Sequence, residues 1–129
     1  MLSVGIKGNL ERTVTPERTA EAMGSGQLPV FATPAVIALA EETAWKSVAG
    51  ELEEGQGTVG TRMELSHLAA TPLGMTVRCE TELTEIDRRK LVFAIDVFDE
   101  KEKIAEGRQE RFIVDNAKFL SKAEGKLQK

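Results

Sequence analysis

The chain has no tyrosine and only one tryptophan, one histidine and one cysteine among its 129 residues, and each scarcity removes a class of chemistry. A lone cysteine, Cys79, forbids an intrachain disulfide. One cysteine with one histidine also cannot furnish a tetrahedral thiolate metal site, so no metal is expected. No run approaches the ~20 apolar residues of a membrane-spanning helix, and the longest near-apolar stretch runs only from Phe31 to Ala40. Basic residues are outnumbered, 17 against 21 acidic, for a net charge of −4. Only Arg88-Arg89-Lys90 forms a local basic cluster, too little for a nucleic-acid or anionic-membrane surface. Residues 1–8 lack a basic segment followed by an apolar one, so the expectation is a cytoplasmic protein that is not exported.

What is present suits a single domain over residues 1–129, 41% hydrophobic and large enough to fold without staples. Residues 4–15 alternate loosely as a first strand. A short helical or irregular stretch from Thr15-Pro16 to Met23 is broken by Gly24-Ser25-Gly26. Thr33-Pro34 then reads as a helix start, with threonine as cap and proline at the first helical position, where its missing N–H costs nothing. That helix runs to about Ala49 and stops at Gly50, gathering Val36, Ile37, Ala40, Ala44 and Val48 on one face.

Four strand patterns follow. Over 58–67, Val59, Thr61, Met63, Leu65 and His67 share a face. Over 75–86, Val77, Cys79, Thr81 and Leu83 do so, and over 90–98, Leu91, Phe93, Ile95 and Val97. The last, 103–115, places Phe112 and Val114 opposite Ile113. Short connections at 87–89 and 99–102 suit antiparallel hairpins, predicting an α+β fold in which one helix packs on an antiparallel meander. The charged tail from Lys118 to Lys129 is expected to fray.

Three residues carry the chemistry. His67 points with the apolar set, either as a core histidine satisfied by a backbone carbonyl or as an acid/base group in a pocket. Glu41 lies on the flank of the helix stripe while Glu42 faces solvent. It reads either as a surface carboxylate or as a desolvated base. Thr33 is accounted for by capping, yet its hydroxyl also sits where free helix N–H groups would stabilise an oxyanion. Cys79 reads as a small core residue, and Trp45, off the stripe's centre, as packing at a second surface.

The segments Val30-Phe31-Ala32-Thr33-Pro34, Leu39-Ala40-Glu41-Glu42-Thr43-Ala44, Gly57-Thr58-Val59-Gly60-Thr61, His67-Leu68-Ala69-Ala70-Thr71-Pro72-Leu73-Gly74 and Gly107-Arg108-Gln109-Glu110-Arg111 together resemble the hotdog-fold acyl-CoA thioesterases of the fluoroacetyl-CoA thioesterase type. The resemblance spans nearly all of residues 28–115. It implies a long helix wrapped by a curved antiparallel sheet, a homodimer with sites at the subunit interface, and a catalytic set of Thr33, Glu41 and His67. The acyl-CoA is then the substrate partner, with no separate cofactor. The small residues Ala69, Ala70, Thr71, Pro72 and Gly74 would let a pantetheine arm pass close to backbone, and Arg88, Arg89 or Arg111 could meet the CoA phosphates. Family members often carry histidine where this chain has Gln109, so a local substrate contact there does not carry over. A non-catalytic acyl-CoA or small-ligand binding module, and a hotdog hydratase, are the alternatives, because fold alone does not decide function.

Overall fold

Proline in the first turn and glycine after the last bracket the one long helix. A computed structural model describes residues 1–128 as β1 (Lys7–Thr13), a 3-10 turn (Pro16–Arg18), α1 (Ala20–Met23), α2 (Thr33–Ala49), β2 (Gln56–His67), β3 (Thr76–Asp87), β4 (Lys90–Phe98), β5 (Lys103–Asp115), α3 (Asn116–Glu124) and a final 3-10 turn (Gly125–Leu127). Gly24, at a left-handed φ of 73°, ends α1.

The five strands form one antiparallel sheet in the order β1-β3-β4-β5-β2. This corrects the simple meander: β3, β4 and β5 follow one another, but β2 lies at the far edge, paired with β5. Residues 68–75 are too long for a hairpin and carry the chain across. An isolated bridge between Val30 and Pro72 and the Gly74 N–H donating to the Val14 carbonyl pin this crossing.

α2 lies on one face of the sheet. Its buried residues are Ala35, Val36, Leu39, Ala40, Thr43, Ala44 and Val48, so the stripe is centred toward Leu39 and Thr43, and Ile37 is only half-buried. Beneath it, Val77, Cys79, Ile95, Val97 and Ile104 pack with Phe31 and Val36, and further along Leu83, Leu91, Phe93 and Ile113 pack with Ala44 and Val48. Complete burial of such side chains contributes about 1.5–3 kcal/mol each. Burial pushes the Cys79 thiol up to about 11, leaving it inert as a nucleophile.

A bulge alters the inner face of β2. The register with β5 shifts between Gly60 and Arg62, so Thr61 is the extra residue and the side-chain phase reverses there. Thr58 and Gly60 oppose the buried Ile113 and Arg111, whereas beyond the bulge Met63, Leu65 and His67 oppose Gln109, Gly107 and Ala105. Val59 and Thr61, expected to point inward with His67, are therefore out of phase with it. The tail also departs from expectation: α3 is a helix capped by Asp115, whose side chain accepts from the Lys118 N–H, although none of its residues is buried.

The β2–β5 pairing requires glycine at 107, since a Cβ there would run into the Glu64 carbonyl oxygen. Gly107→Ala should lower stability by about 1–3 kcal/mol, the scale of overpacking. Gly125→Ala, where a Cβ meets open space, should stay within about 0.5 kcal/mol of wild type. Equal unfolding midpoints for the two variants would refute the close approach.

Candidate active site

The first turn of α2 and the last residue of β2 meet at one contact. Thr33 does not cap the helix: Ala32 is the N-cap, in extended conformation (φ −73°, ψ 142°) and with no side-chain hydrogen bond, and Thr33 is the first helical residue. Its hydroxyl is thereby released from the backbone and lies 2.7 Å from His67 Nδ1. Among the described residues Nε2 of the ring is buried and makes no hydrogen bond. Burial lowers the His67 pKa, and the Ala69 backbone, acting in the opposite direction, offsets this only in part. The ring is thus held neutral near pH 7. In the tautomer with its proton on Nε2, Nδ1 is free to accept from the Thr33 hydroxyl. A cleft of about 320 Å³ opens here, lined by Val30, Phe31, Thr33, His67, Ala69 and Ala70. The first intrahelical bond runs from the Val36 N–H to the Ala32 carbonyl, so the N–H groups of Thr33 and Ala35 precede it and carry the positive end of the helix dipole.

Glu41 stands eight residues further on, about 12 Å along the helix axis, beside a second cleft of about 230 Å³ that it shares with Gly60, Met63 and Gln109. The chain therefore joins Thr33 to His67 but does not bring its own Glu41 to them. The Glu41 carboxylate accepts from Arg111 Nη1 at 3.0 Å, and its side chain is 42% exposed whereas that of Arg111 is 5% exposed. Arg111 is otherwise met by the Thr58 hydroxyl (2.9 Å), the Thr58 carbonyl (3.2 Å) and Gln109 Oε1 (3.2 Å). This corrects one expectation: a guanidinium so buried and so fully used is not free to meet a CoA phosphate. Gly60 gives the carboxylate its room, because a Cβ there would collide with Glu41 Oε2. Glu42, expected to face solvent while Glu41 leans inward, is instead the less open of the two, its side chain 31% exposed against 42% for Glu41. It is held by Lys46 at 2.6 Å and Arg12 at 2.7 Å, and these partners lower its pKa.

The crossing loop divides its labour. Ala69 and Ala70 line the cleft beside His67. Thr71 is buried with its hydroxyl on Asp99 (2.9 Å) and its carbonyl accepting from the Phe31 N–H, Pro72 bridges to Val30, and Gly74 turns the chain at φ 94°. These three shape the loop from behind. Arg88 and Arg89 form the β3–β4 turn, beside the Lys90–Phe112 pair at the opposite end of β4 from Val97, which shares the His67 register through Ala105. A broad hollow of about 800 Å³ is an open trough on the solvent face of β2, β4 and β5 whose charged walls, Glu64, Asp96, Glu106 and Arg108, are already ion-paired. Sequence reasoning weighed Arg111 only for phosphates. Its signal was a charge in phase with Gln109 and Ile113 on the inner face of β5.

The sequence profile of the fluoroacetyl-CoA-specific thioesterases matches residues 14–117. A fluoroacetyl-CoA thioesterase of Streptantibioticus cattleyicolor is 35% identical over 97 residues, 75% of this chain and 70% of that protein. The chain belongs to the fluoroacetyl-CoA-specific thioesterase family. A solved structure of the fluoroacetyl-CoA thioesterase FlK superposes with a TM-score of 0.92 at 30% identity, covering 98% of each chain. Another, in complex with fluoroacetate and CoA, gives 0.86 at 31% identity over 92% of this chain and 99% of that one. A Thermus thermophilus member of the thioesterase superfamily gives 0.87 at 28% identity, covering 96% of this chain and 92% of that chain. The sheet and long helix are accordingly those of a hotdog thioesterase, and no helix among the described residues is long and apolar enough to cross a membrane.

As the sole histidine of this fluoroacetyl-CoA thioesterase family member, His67 leaves a readable imprint on stability. Because its folded pKa lies below its unfolded value, the unfolded chain binds the proton more readily, and stability falls as pH drops below the ring's ordinary value of about 6.5. The loss stops below the lowered folded value. In denaturant titrations between about pH 5.5 and 7.5 this slope should be present in wild type and absent in His67→Gln. Identical slopes in the two proteins would contradict a buried neutral ring.

Proposed function

We propose that this protein hydrolyses small-to-medium acyl-CoA thioesters to the free acid and CoA. The observation that carries the reading is the Thr33 hydroxyl resting on His67 Nδ1 at 2.7 Å beside the unbonded N–H groups of a helix start. Thioester hydrolysis asks for these parts: an oxygen nucleophile that must lose a proton, a neutral base beside it, and positive dipoles where the carbonyl oxygen gathers charge. His67 accepts the proton from the attacking oxygen, that of water or of Thr33, and returns it to the departing CoA sulfur. The first-turn N–H groups of α2 face the developing oxyanion. Glu41, paired with Arg111, serves as base for the hydrolytic water or as the attacking carboxylate. The neutral walls of Ala69 and Ala70 admit a pantetheine arm.

The separation of Glu41 from Thr33 and His67 supports a second element of this reading, a homodimer whose sites are shared. β2 is an edge strand of twelve residues with one side unpaired, a natural template for a second copy. Trp45 and Phe112, 43% and 41% exposed, supply apolar surface for such an interface. Antiparallel pairing of two β2 strands about a two-fold axis sets the His67 end of one beside the Gly60 half of the other, bringing His67 toward Glu41 of a second copy.

Release of CoA thiol from short, branched, aromatic and long acyl-CoA esters tests the activity; ligand retention without thiol release on every ester would favour a binding module instead. Glu41→Gln should remove most turnover, by ~10²-fold or more, whereas Glu42→Gln stays near wild type. Equal rates for the two variants would remove Glu41 from the mechanism. Mixing Glu41→Gln and His67→Ala proteins with subunit exchange should restore about a quarter of wild-type activity, since half the dimers are mixed and each holds one intact site. No recovery on exchange would place all three groups in one subunit.

A further inference from the structure

Gln109 is 1% exposed and is assigned no part in the hydrolysis, yet both ends of its carboxamide bond to groups adjoining Glu41. Its Nε2 donates to the Ala40 carbonyl at 2.9 Å, on the helix residue that immediately precedes Glu41. Its Oε1 accepts from Arg111 Nη1 at 3.2 Å, the same nitrogen that donates to the Glu41 carboxylate at 3.0 Å. The amide orientation follows from its partners, because a carbonyl can only accept and a guanidinium can only donate. We propose that Gln109 is a positioning residue for the thioesterase reaction, fixing the backbone of α2 at Glu41 and the guanidinium that aims its carboxylate. The proposal rests on the reading of Glu41 as the working carboxylate.

The chemistry is specific to an amide of this length. An aliphatic side chain would leave a buried guanidinium N–H without its acceptor. A carboxylate would face the Ala40 carbonyl with no proton to offer and would compete with Glu41 for Nη1. The guanidinium is one rigid plane; Thr58 holds it through Nε and Nη2, and Gln109 holds the same plane through Nη1, the arm that also meets Glu41. Glu41 is itself 42% exposed on its side chain and borders an open cleft, so within the chain Arg111 is the group that directs its carboxylate.

The test compares Gln109→Met and Gln109→Glu, each alone and in the Glu41→Gln background, with kcat and KM from CoA thiol release and unfolding midpoints as a check on folding. Each variant alone should lose about 10- to 100-fold in kcat, the scale of misplacing a catalytic group by an ångström, with KM within about three-fold of wild type. In the Glu41→Gln background neither should cost more than about two-fold further, because residues acting as one unit are not additive. Wild-type kcat in either folded variant, or the same loss in both backgrounds, would overturn the positioning role. Full activity of Glu41→Gln alone would overturn the reading of Glu41, and this proposal with it. A failure of Gln109→Met to fold leaves Gln109→Glu, which retains an acceptor for Arg111, to decide by the same criteria.

Discussion

A guanidinium cannot shed its charge at any pH that a protein survives, so Arg111, placed inside the sheet-helix layer, obliges its neighbours to supply acceptors. They do so from three elements: Thr58 on β2, Gln109 on β5 and Glu41 on α2. Much of the architecture around the second cleft follows from this demand. Gly60 must lack a Cβ so that the carboxylate can reach the arginine, and Thr58 must face inward, which it does only because the strand slips phase at Thr61. Removing one partner leaves a buried charge short of acceptors, the costly way to break such a network.

The remainder of the site is organised by what the helix start leaves unused. With Ala32 as the cap, the Thr33 side chain has no backbone donor to satisfy and becomes available to His67. Had Thr33 been the cap, its hydroxyl would have been spent on the helix itself. A shift of one residue in where the helix begins therefore separates a structural threonine from a chemical one. The two halves of the site, a hydroxyl-imidazole pair and an arginine-held carboxylate, then stand at opposite ends of two helical turns.

The sequence predicted α2, β4 and β5 within a residue of their observed limits because each is long and strongly periodic, and the burial of Cys79 followed from the same kind of periodicity in β3. The helical wheel, by contrast, misjudged Glu42, whose side chain is less exposed than that of Glu41. The inner face of β2 was only half legible. One inserted residue reverses a period of two, and nothing local marks Thr61 as the insertion. Strand order was hidden for a different reason: β2 pairs with β5 across about fifty residues of chain, a choice made by packing rather than by any turn. The roles of Arg111 and Gln109 are non-local in the same sense, since an inward charge on a strand is interpretable only once the helix above it is known. α3 was missed because its residues bury nothing, and its capping by Asp115 is a local signal outweighed by its charge.

Every turnover of a thioesterase releases a free thiol at the enzyme's own surface, and an accessible cysteine would be open to exchange with the disulfides that such thiols form. Here the single cysteine is sealed beneath α2 with its thiol proton held to about pH 11, so its reactive thiolate form is scarce under any working condition. The catalyst is therefore chemically blind to its product. It can accumulate CoA and CoA disulfide around itself without forming a mixed disulfide, and the thiol counted in its reaction mixture is that of released CoA.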